Sequence, residues 1–192
     1  MKKILNFSFF CRDSKKIAQE LLGKYLVRKI GRNTISDMIV EVEIYDGFND
    51  KASHAFKKRG ITKRNWVMFE KGGKWYVYLT YGMHWMLNIV TQEKGYPAAI
   101  LIRSTLQFKG PGRVTKFFHI NRTFNNKPAN YKSHLWIEDR GVKILKNQIG
   151  KRPRIGIDYA QEDKFKLLNY FIKGEESVKN KTGKNRTVNI KG

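Results

Sequence analysis

The chain has 192 residues, 39 of them Lys or Arg and 16 Asp or Glu, which gives a formal charge of +23. This length fits one domain, and a hydrophobic content of 41% is enough for a buried core. Folding does not require such a charge, so the composition favours a polyanionic partner, either nucleic acid or an anionic membrane surface. No apolar run is long enough to span a bilayer. The single cysteine excludes an internal disulfide framework and a cysteine-based zinc site, and it fits a reducing cytoplasm.

The N-terminal part of the chain predicts a helix followed by two strands. Residues 14–25 place four apolar side chains on one helical face: Ile17, Leu21, Leu22 and Tyr25. Residues 25–30 (YLVRKI) and 37–45 (DMIVEVEIY) have strand patterns on either side of a GRN turn. The polar connection that follows, residues 46–65, has a length that is usually functional in a compact domain.

The centre of the chain, residues 38–106, predicts an antiparallel sheet. Residues 74–92 read as two strands around Gly82, and a further strand covers residues 98–106. The glycine-rich segment 110–120 predicts a turn that opens a short helix with three inward side chains: Val114, Phe117 and Phe118. Three later segments are strand or loop candidates: 134–139, 152–160 and 167–174.

The strand IVEVEIYDG, residues 39–47, places two of the few carboxylates close together. Alternation assigns Val40, Val42 and Ile44 to a core face, and it assigns four residues to the other face: Ile39, Glu41, Glu43 and Tyr45. That second face is either the solvated side of an edge strand or the wall of a cleft. In a cleft, one carboxylate could serve as a general base. Arg103, at the end of the strand 98–106, is either the cation of that cleft or an ordinary surface arginine.

Five aromatic residues cluster between residues 75 and 85: Trp75, Tyr76, Tyr78, Tyr81 and Trp85. The tryptophans and Tyr76 are expected in the core. Tyrosines beside a basic surface also suit stacking on nucleic-acid bases. Tyr81 precedes Gly82 at a predicted turn, where a protruding ring could act as a wedge between base steps.

The histidines do not predict a metal site. His54 lies in the long polar connection, where a histidine is commonly plain polar surface, and the others are scattered: His84, His119 and His134. None of them has the spacing of a metallohydrolase motif, and the chain lacks the nucleophile-elbow motif of serine hydrolases.

Seven segments, taken in order, resemble the alkyladenine (3-methyladenine) DNA glycosylases, also called methylpurine glycosylases. They are IVEVEIYDG, ASHAF, TKRNWVMF, WYVYLTYGMHWMLNIV, AAILIRS, GPGRVTKFFHI and RIGIDYA. The resemblance covers roughly residues 17–174. It implies an α+β fold with a single compact domain, residues 1–174, in which helices flank a curved antiparallel sheet. Residues 175–192 are then a polar, basic tail.

The same resemblance implies a monofunctional enzyme of base excision repair that removes alkylated or deaminated purines from double-stranded DNA. Members of the family use neither a metal nor an organic cofactor. We therefore expect no cofactor, no membrane partner and a monomer. The expected location is the cytoplasm with its nucleoid in a prokaryote and the nucleus otherwise.

The resemblance also implies roles for residues near the glycosidic bond. Glu43 matches the general base that activates a water molecule. Arg103 and the backbone carbonyl of Ile155 match the groups that hold this water. Glu41 is then a supporting residue.

Further roles concern the damaged base and the duplex. Tyr45 matches the ring that stacks on one face of the flipped base, and His54 and Tyr78 match the pair on the other face. Tyr81 matches the residue that intercalates into the duplex, and Asn88 matches the side chain that disfavours guanine.

Two positions depart from the family pattern. His84 stands where the family often has an aromatic residue. Asn169 stands near the place of a family arginine, and the resemblance assigns no role to it.

A second hypothesis is a non-catalytic RNA- or DNA-binding module. It explains the charge and the aromatic content equally well, but it leaves Glu43, Arg103 and Asn88 at their spacing unexplained. A membrane-surface binder is disfavoured because the chain lacks a basic amphipathic helix with a large apolar face.

Overall fold

The computed structural model describes residues 2–57 and 60–174. The strands in this part of the chain are β1 (Lys3–Ile4), β2 (Tyr25–Ile30), β3 (Asn33–Asp46), β4 (Trp75–Thr80), β5 (His84–Val90), β6 (Ala98–Thr105), β7 (Leu135–Asp139), β8 (Ile149–Arg152) and β9 (Asn169–Ile172). The α-helices are α1 (Phe7–Phe10), α2 (Ser14–Leu21) and α3 (Pro111–Phe117). Short 3-10 helices cover Trp66–Phe69, Arg122–Phe124, Tyr131–Ser133, Lys146–Gln148 and Asp158–Phe165.

The nine strands form one open antiparallel sheet, which confirms the predicted α+β class. Its main order is β1-β7-β2-β3-β6-β5-β4, and β9 pairs with both β3 and β8. The 14-residue strand β3 pairs with β2 through its first part and with β6 and β9 through its second. It therefore lies inside the sheet, and the alternative of a solvated edge strand is wrong.

Two register shifts interrupt the pairing of β3 with β6. Ile39 faces Thr105 and Glu41 faces Ser104, so Val40 is an extra residue on β3. A bulge of this kind turns neighbouring side chains away from strict alternation. Ile39 is accordingly buried in the main core rather than on the carboxylate face. The prediction that Ile39 shares that face is wrong for this reason.

Helix α2 is shorter than the predicted helix 14–25. The Asp13 side chain caps its start by accepting the backbone N–H of Lys16 at 2.9 Å, and its buried face packs on β3. The helix ends at Leu21 because Gly23 has a φ of +85°, a conformation that glycine adopts without strain. The chain then enters β2 at Tyr25.

The central hairpins and α3 agree with the prediction. Val114 and Phe118 are fully buried, and Phe117 stacks on Phe108 with ring centroids 4.0 Å apart. The sequence pattern did not reveal β1, β8 and α1, which are two to four residues long and too short for a periodicity. The predicted tail, residues 175–192, lies outside the described residues. Within the described ranges, no helix is long and apolar enough to cross a membrane.

Gly72 offers a test of the packing between the N-terminal segment and the sheet. A Cβ at Gly72 would lie 2.5 Å from the backbone carbonyl oxygen of Phe10 and 3.0 Å from that of Gln92. Because backbone atoms cannot move aside freely, we expect Gly72→Ala to lower the free energy of unfolding by about 2 kcal/mol in urea denaturation. Gly112→Ala is the control, since its nearest neighbour is the exposed, movable side chain of His84. Equal losses in the two variants would contradict this packing argument.

Candidate active site

A cavity of about 360 Å³ opens where β3, β4, β5 and β6 meet the turn after β8 and the loop after β3, at Ala52 and His54. The eight residues that the family resemblance placed in direct contact with the water, the base or the duplex all line this cavity: Glu43, Tyr45, His54, Tyr78, Tyr81, Asn88, Arg103 and Ile155. They come from six separate parts of the chain, which the antiparallel pairing brings together. Glu41 and His84 are not part of the lining.

Glu43 is fully buried, and four groups surround its carboxylate. Oε1 accepts the backbone N–H of Ile155 at 2.9 Å and the side-chain amide of Asn169 at 3.0 Å. Oε2 accepts the hydroxyl of Tyr45 at 3.1 Å and lies 3.6 Å from Nη1 of Arg103. A buried carboxylate is tolerated only with such partners, so its place in the wall is specified by these contacts.

Arg103 reaches the carboxylates because of the second register shift. Val42 faces Ile102 and Glu41 faces Ser104, which leaves Arg103 as an extra residue on β6. Bulges often re-aim a side chain next to a functional site. The guanidinium lies between the carboxylates, with Nε 3.4 Å from Glu41 Oε1 and Nη1 3.6 Å from Glu43 Oε2. It is a cation of the cleft rather than an ordinary surface arginine.

Glu41 lies behind the cavity and accepts three side-chain hydrogen bonds. Ser104 Oγ donates to it at 2.6 Å, Arg152 Nη2 at 2.5 Å and Asn169 Nδ2 at 2.8 Å. Burial alone would raise the pKa of Glu41, but these hydrogen bonds and the charge of Arg103 outweigh it and hold the pKa below the ordinary value. Glu41 is therefore a fixed anion of the sheet.

Asn169 is a residue of the site that sequence reasoning missed. It is fully buried at the start of β9, and its amide bridges Glu41 and Glu43. The sequence contained one signal for this residue, since asparagine stands near the place where the family has an arginine. The strand register, which sets Asn169 opposite Glu43, was not visible in the sequence.

Tyr45 is held between Glu43 and a buried cation. The guanidinium carbon of Arg154 lies 4.8 Å from the centre of the Tyr45 ring. Burial, followed by the negative charge of Glu43, raises the pKa of Tyr45 well above its ordinary value. The phenol therefore stays protonated and can donate to Glu43.

Arg154 also fixes the loop that forms one wall of the cavity. It makes a two-point ion pair with Asp50, with distances of 2.5 and 2.8 Å, and donates to the backbone carbonyl of Ile44 at 2.8 Å. The backbone N–H of Lys51 donates to Asp163 at 2.8 Å. Two consecutive residues of the loop, Asp50 and Lys51, thus bind the segment after β8.

The opposite wall is aromatic. The rings of His54 and Tyr78 lie 4.6 Å apart at an interplanar angle of 74°. Tyr76 is buried, as predicted, but it also belongs to the site, because its hydroxyl lies 2.8 Å from His54 Nδ1. Burial raises the pKa of Tyr76 and of Tyr78, so both rings are neutral. The guanidinium of Arg64 covers the Tyr78 ring at 4.9 Å.

Tyr81 stands at the mouth of the cavity, and 83% of its surface is exposed. It has a φ of +51° and Gly82 a φ of +68°, as the two central residues of a type I′ hairpin turn do. Asn and Gly are favoured at such positions, whereas tyrosine is strained there. The hairpin between β4 and β5 therefore presents a large ring to solvent against its local preference.

Asn88 and Ile155 complete the lining. The Asn88 amide donates to the backbone carbonyl of Tyr76 at 3.1 Å, which fixes the side chain on β5. Ile155 meets Glu43 through its backbone N–H. His84 is exposed and lies over Gly112 at the start of α3, outside the cavity. Tyr159, which sequence reasoning did not single out, lines the cavity and donates from its hydroxyl to the carbonyl of Ala52 at 3.2 Å.

The chain is similar to known proteins over most of its length. The family profile described as methylpurine-DNA glycosylase matches residues 8–108 and 105–176. A relative from Borreliella burgdorferi (strain ZS7) is 40% identical over 182 residues, covering 88% of this chain and 96% of the relative. A relative from Methanocella arvoryzae is 40% identical over 91% of this chain and 95% of its own length. A third, from Legionella pneumophila (strain Paris), is 39% identical over 90% of this chain and 96% of its own length.

Each of these three relatives is named as a candidate 3-methyladenine DNA glycosylase. The family profile extends over the strand that holds both carboxylates and over every segment that lines the cavity. Its match agrees with the resemblance drawn from the seven sequence segments. The chain therefore belongs to the methylpurine-DNA glycosylase family, whose members are hydrolases of N-glycosyl bonds.

Proposed function

We propose that this protein is a monofunctional DNA glycosylase that extrudes a damaged purine from duplex DNA and hydrolyses its glycosidic bond with a water molecule activated by Glu43. One observation carries the proposal: a fully buried carboxylate forms part of the wall of a cavity whose lining also includes five tyrosine rings and the ring of His54. A cavity of about 360 Å³ suits a small planar ligand. The enzyme acts as a monomer in the compartment that contains the DNA.

Extrusion of the base depends on charge and on Tyr81. The charge of +23 allows many contacts to phosphates, which release counterions and favour binding. Unstacking a nucleotide costs a few kcal/mol, and least for a weakly paired, damaged base. The exposed Tyr81 ring enters the stack and fills the space that the extruded nucleotide leaves.

The extruded purine lies between Tyr45 on one side and His54 and Tyr78 on the other. Neutral aromatic rings attract a cationic base through their π-electrons, so the cavity favours N3- and N7-alkylated purines. Such a base leaves without protonation, whereas a neutral lesion such as hypoxanthine needs an acid. Asn88 crowds the 2-amino group of guanine and so disfavours the normal base.

Bond cleavage passes through an oxocarbenium-like sugar. The carboxylate of Glu43 stabilises the developing positive charge and accepts a proton from the attacking water. Arg103 and the backbone carbonyl of Ile155 hold that water. Glu41 stays ionised behind the site and keeps the guanidinium of Arg103 in place.

The non-catalytic binding module is the competing function. It requires a basic surface and exposed aromatic rings, but no buried carboxylate. Burying Glu43 costs free energy unless every one of its hydrogen-bonding partners is in place. A surface that only binds nucleic acid does not need such an arrangement.

We predict that Glu43→Gln abolishes base release while DNA binding persists. The amide cannot accept a proton from water, so single-turnover excision should fall at least about a hundredfold. Excision is measured on a duplex with one methylated purine or one hypoxanthine, followed by alkaline strand cleavage. Affinity for a duplex with an abasic-site analogue should stay within a few-fold. Normal excision by the variant would contradict the assignment of Glu43 as the general base. A wild-type protein that releases no base would favour the non-catalytic binding module.

We expect Glu41→Gln to lower the stability of the fold. This effect distinguishes Glu41 from Glu43, whose substitution is expected to abolish base release. Removing one partner of a buried ionic network is expected to lower the free energy of unfolding by about 3 kcal/mol at neutral pH. The pKa of Glu41 is lowered by folding, so its contribution is complete above the ordinary value of 4.5 and is lost as the pH falls below it. Urea denaturation of both proteins from neutral to acid pH measures this. A constant difference across that range would contradict the proposed state of Glu41.

Tyr81→Ala should weaken excision from duplex DNA about tenfold or more, because one stacking contact worth about 1–3 kcal/mol is lost. Excision from a single-stranded oligonucleotide should change much less, since no gap has to be filled there. Tyr131→Ala is the control, because Tyr131 is also exposed but packs beside Trp136, away from the cavity lining. Equal losses on both substrates would exclude an intercalating role for Tyr81.

A further inference from the structure

The side chain of Asn169 joins the two carboxylates of β3. Asn169 is fully buried and faces Glu43 in the β3–β9 register. Its Nδ2 lies 2.8 Å from Glu41 Oε1 and 3.0 Å from Glu43 Oε1. An amide nitrogen has two hydrogens, and each is directed at a different carboxylate. The donor capacity of the side chain is therefore used in full.

Arg152 determines which way the amide faces. Its Nε lies 3.3 Å from Asn169 Oδ1, and its Nη2 lies 2.5 Å from Glu41 Oε1. A guanidinium has donors and no acceptor, so it can meet only the oxygen of the amide. The nitrogen of Asn169 is consequently directed at the carboxylates.

The two oxygens of Glu43 therefore differ. Oε1 has two donors, the backbone N–H of Ile155 and the Asn169 amide. Oε2 has one hydrogen bond, from Tyr45, and the contact with Arg103 at 3.6 Å is longer than a hydrogen bond. Each carboxylate oxygen offers about two acceptor positions. Within the described part of the chain, Oε1 is filled and Oε2 retains a position for one more donor.

We propose that Asn169 is a positioning residue of the glycosylase reaction, which fills Oε1 of Glu43 and thereby assigns proton acceptance to Oε2. This inference rests on the proposed function, in which Glu43 is the base. In the step, an O–H bond of the water breaks and its proton moves to Oε2. The water oxygen forms a bond to C1′, and the electron pair of the C1′–N bond leaves with the purine.

Removing the amide would take away one hydrogen bond that orients the Glu43 carboxylate, and a hydrogen bond to a carboxylate favours its charged form. The other charged or titratable groups that face Glu43 lie on its own strand and on three further segments: Glu41, Tyr45, Tyr78, Arg103 and Arg154. A substitution at Asn169 leaves all of them in the chain. A shift of the acidic limb in the pH profile of excision can then be attributed to the loss of the Asn169 amide.

The test compares Asn169→Leu with wild type in single-turnover excision across about pH 4.5–8. Leucine has a similar volume and no donor. We expect the acidic limb to move up by about one pH unit and the rate at neutral pH to fall about tenfold. Affinity for a duplex with an abasic-site analogue should stay within about twofold, because the amide does not line the cavity. Asn130→Leu is the matched control, since its side-chain oxygen accepts the backbone N–H of Lys132 at 3.0 Å, away from the carboxylates.

The outcomes separate the two proposals. A wild-type protein without excision overturns the proposed function itself. Excision by wild type together with an unchanged acidic limb in Asn169→Leu overturns the role of Asn169 alone. If thermal unfolding shows that the leucine variant does not fold, Asn169→Ser replaces it, because serine is small and too short to reach both carboxylates. The same limb shift is expected for serine, and its absence counts against the role of Asn169 equally.

Discussion

Two carboxylates buried side by side in the middle of a sheet are the constraint on which the rest of this structure depends. Each would be costly without partners, and β3 alone cannot supply them. Apart from the Tyr45 hydroxyl of β3 itself, the donors come from β6, from the end of β8, from the turn after it and from the first residue of β9. The sheet is therefore held in register at this point by charge as well as by backbone hydrogen bonds. A slip of β9 by one residue would remove the amide from both anions.

The same network divides the carboxylates into two kinds. Glu41 accepts hydrogen bonds from three side chains and does not line the cavity. Glu43 reaches the cavity and has one oxygen that is less fully occupied. Identical side chains two residues apart thus have different hydrogen-bonding environments, because the bulge at Arg103 and the register of β9 distribute the donors unevenly.

Rigid and strained features occupy different parts of the cavity. Its floor and loop wall are fixed by the Asp50–Arg154 pair and by the hydrogen bond from Lys51 to Asp163. Its mouth has an exposed tyrosine in a backbone conformation that tyrosine disfavours. A fixed floor suits the placement of a base against a carboxylate, and a protruding ring suits contact with a large partner. A net charge of +23 provides the long-range attraction for a polyanion.

The sequence by itself determined the elements whose periodicity is long enough to read. These include α2, the strands β2 to β6 and α3, and the family motifs named eight of the residues that line the cavity. Alternation identified a second face on β3 with Glu41, Glu43 and Tyr45. It could not decide whether that face met water, because burial depends on which strands pair on either side.

Only the tertiary structure decided the finer arrangement. Bulges have no sequence periodicity, so strand alternation could predict neither the transfer of Ile39 to the core nor the turn of Arg103 toward the carboxylates. Asn169 lies 126 residues from Glu43 along the chain, and only the pairing of β9 with β3 brings its amide to both anions. Local patterns specify side-chain types and spacing, whereas the partners of a buried charge are chosen by contacts between distant segments, which no local pattern contains.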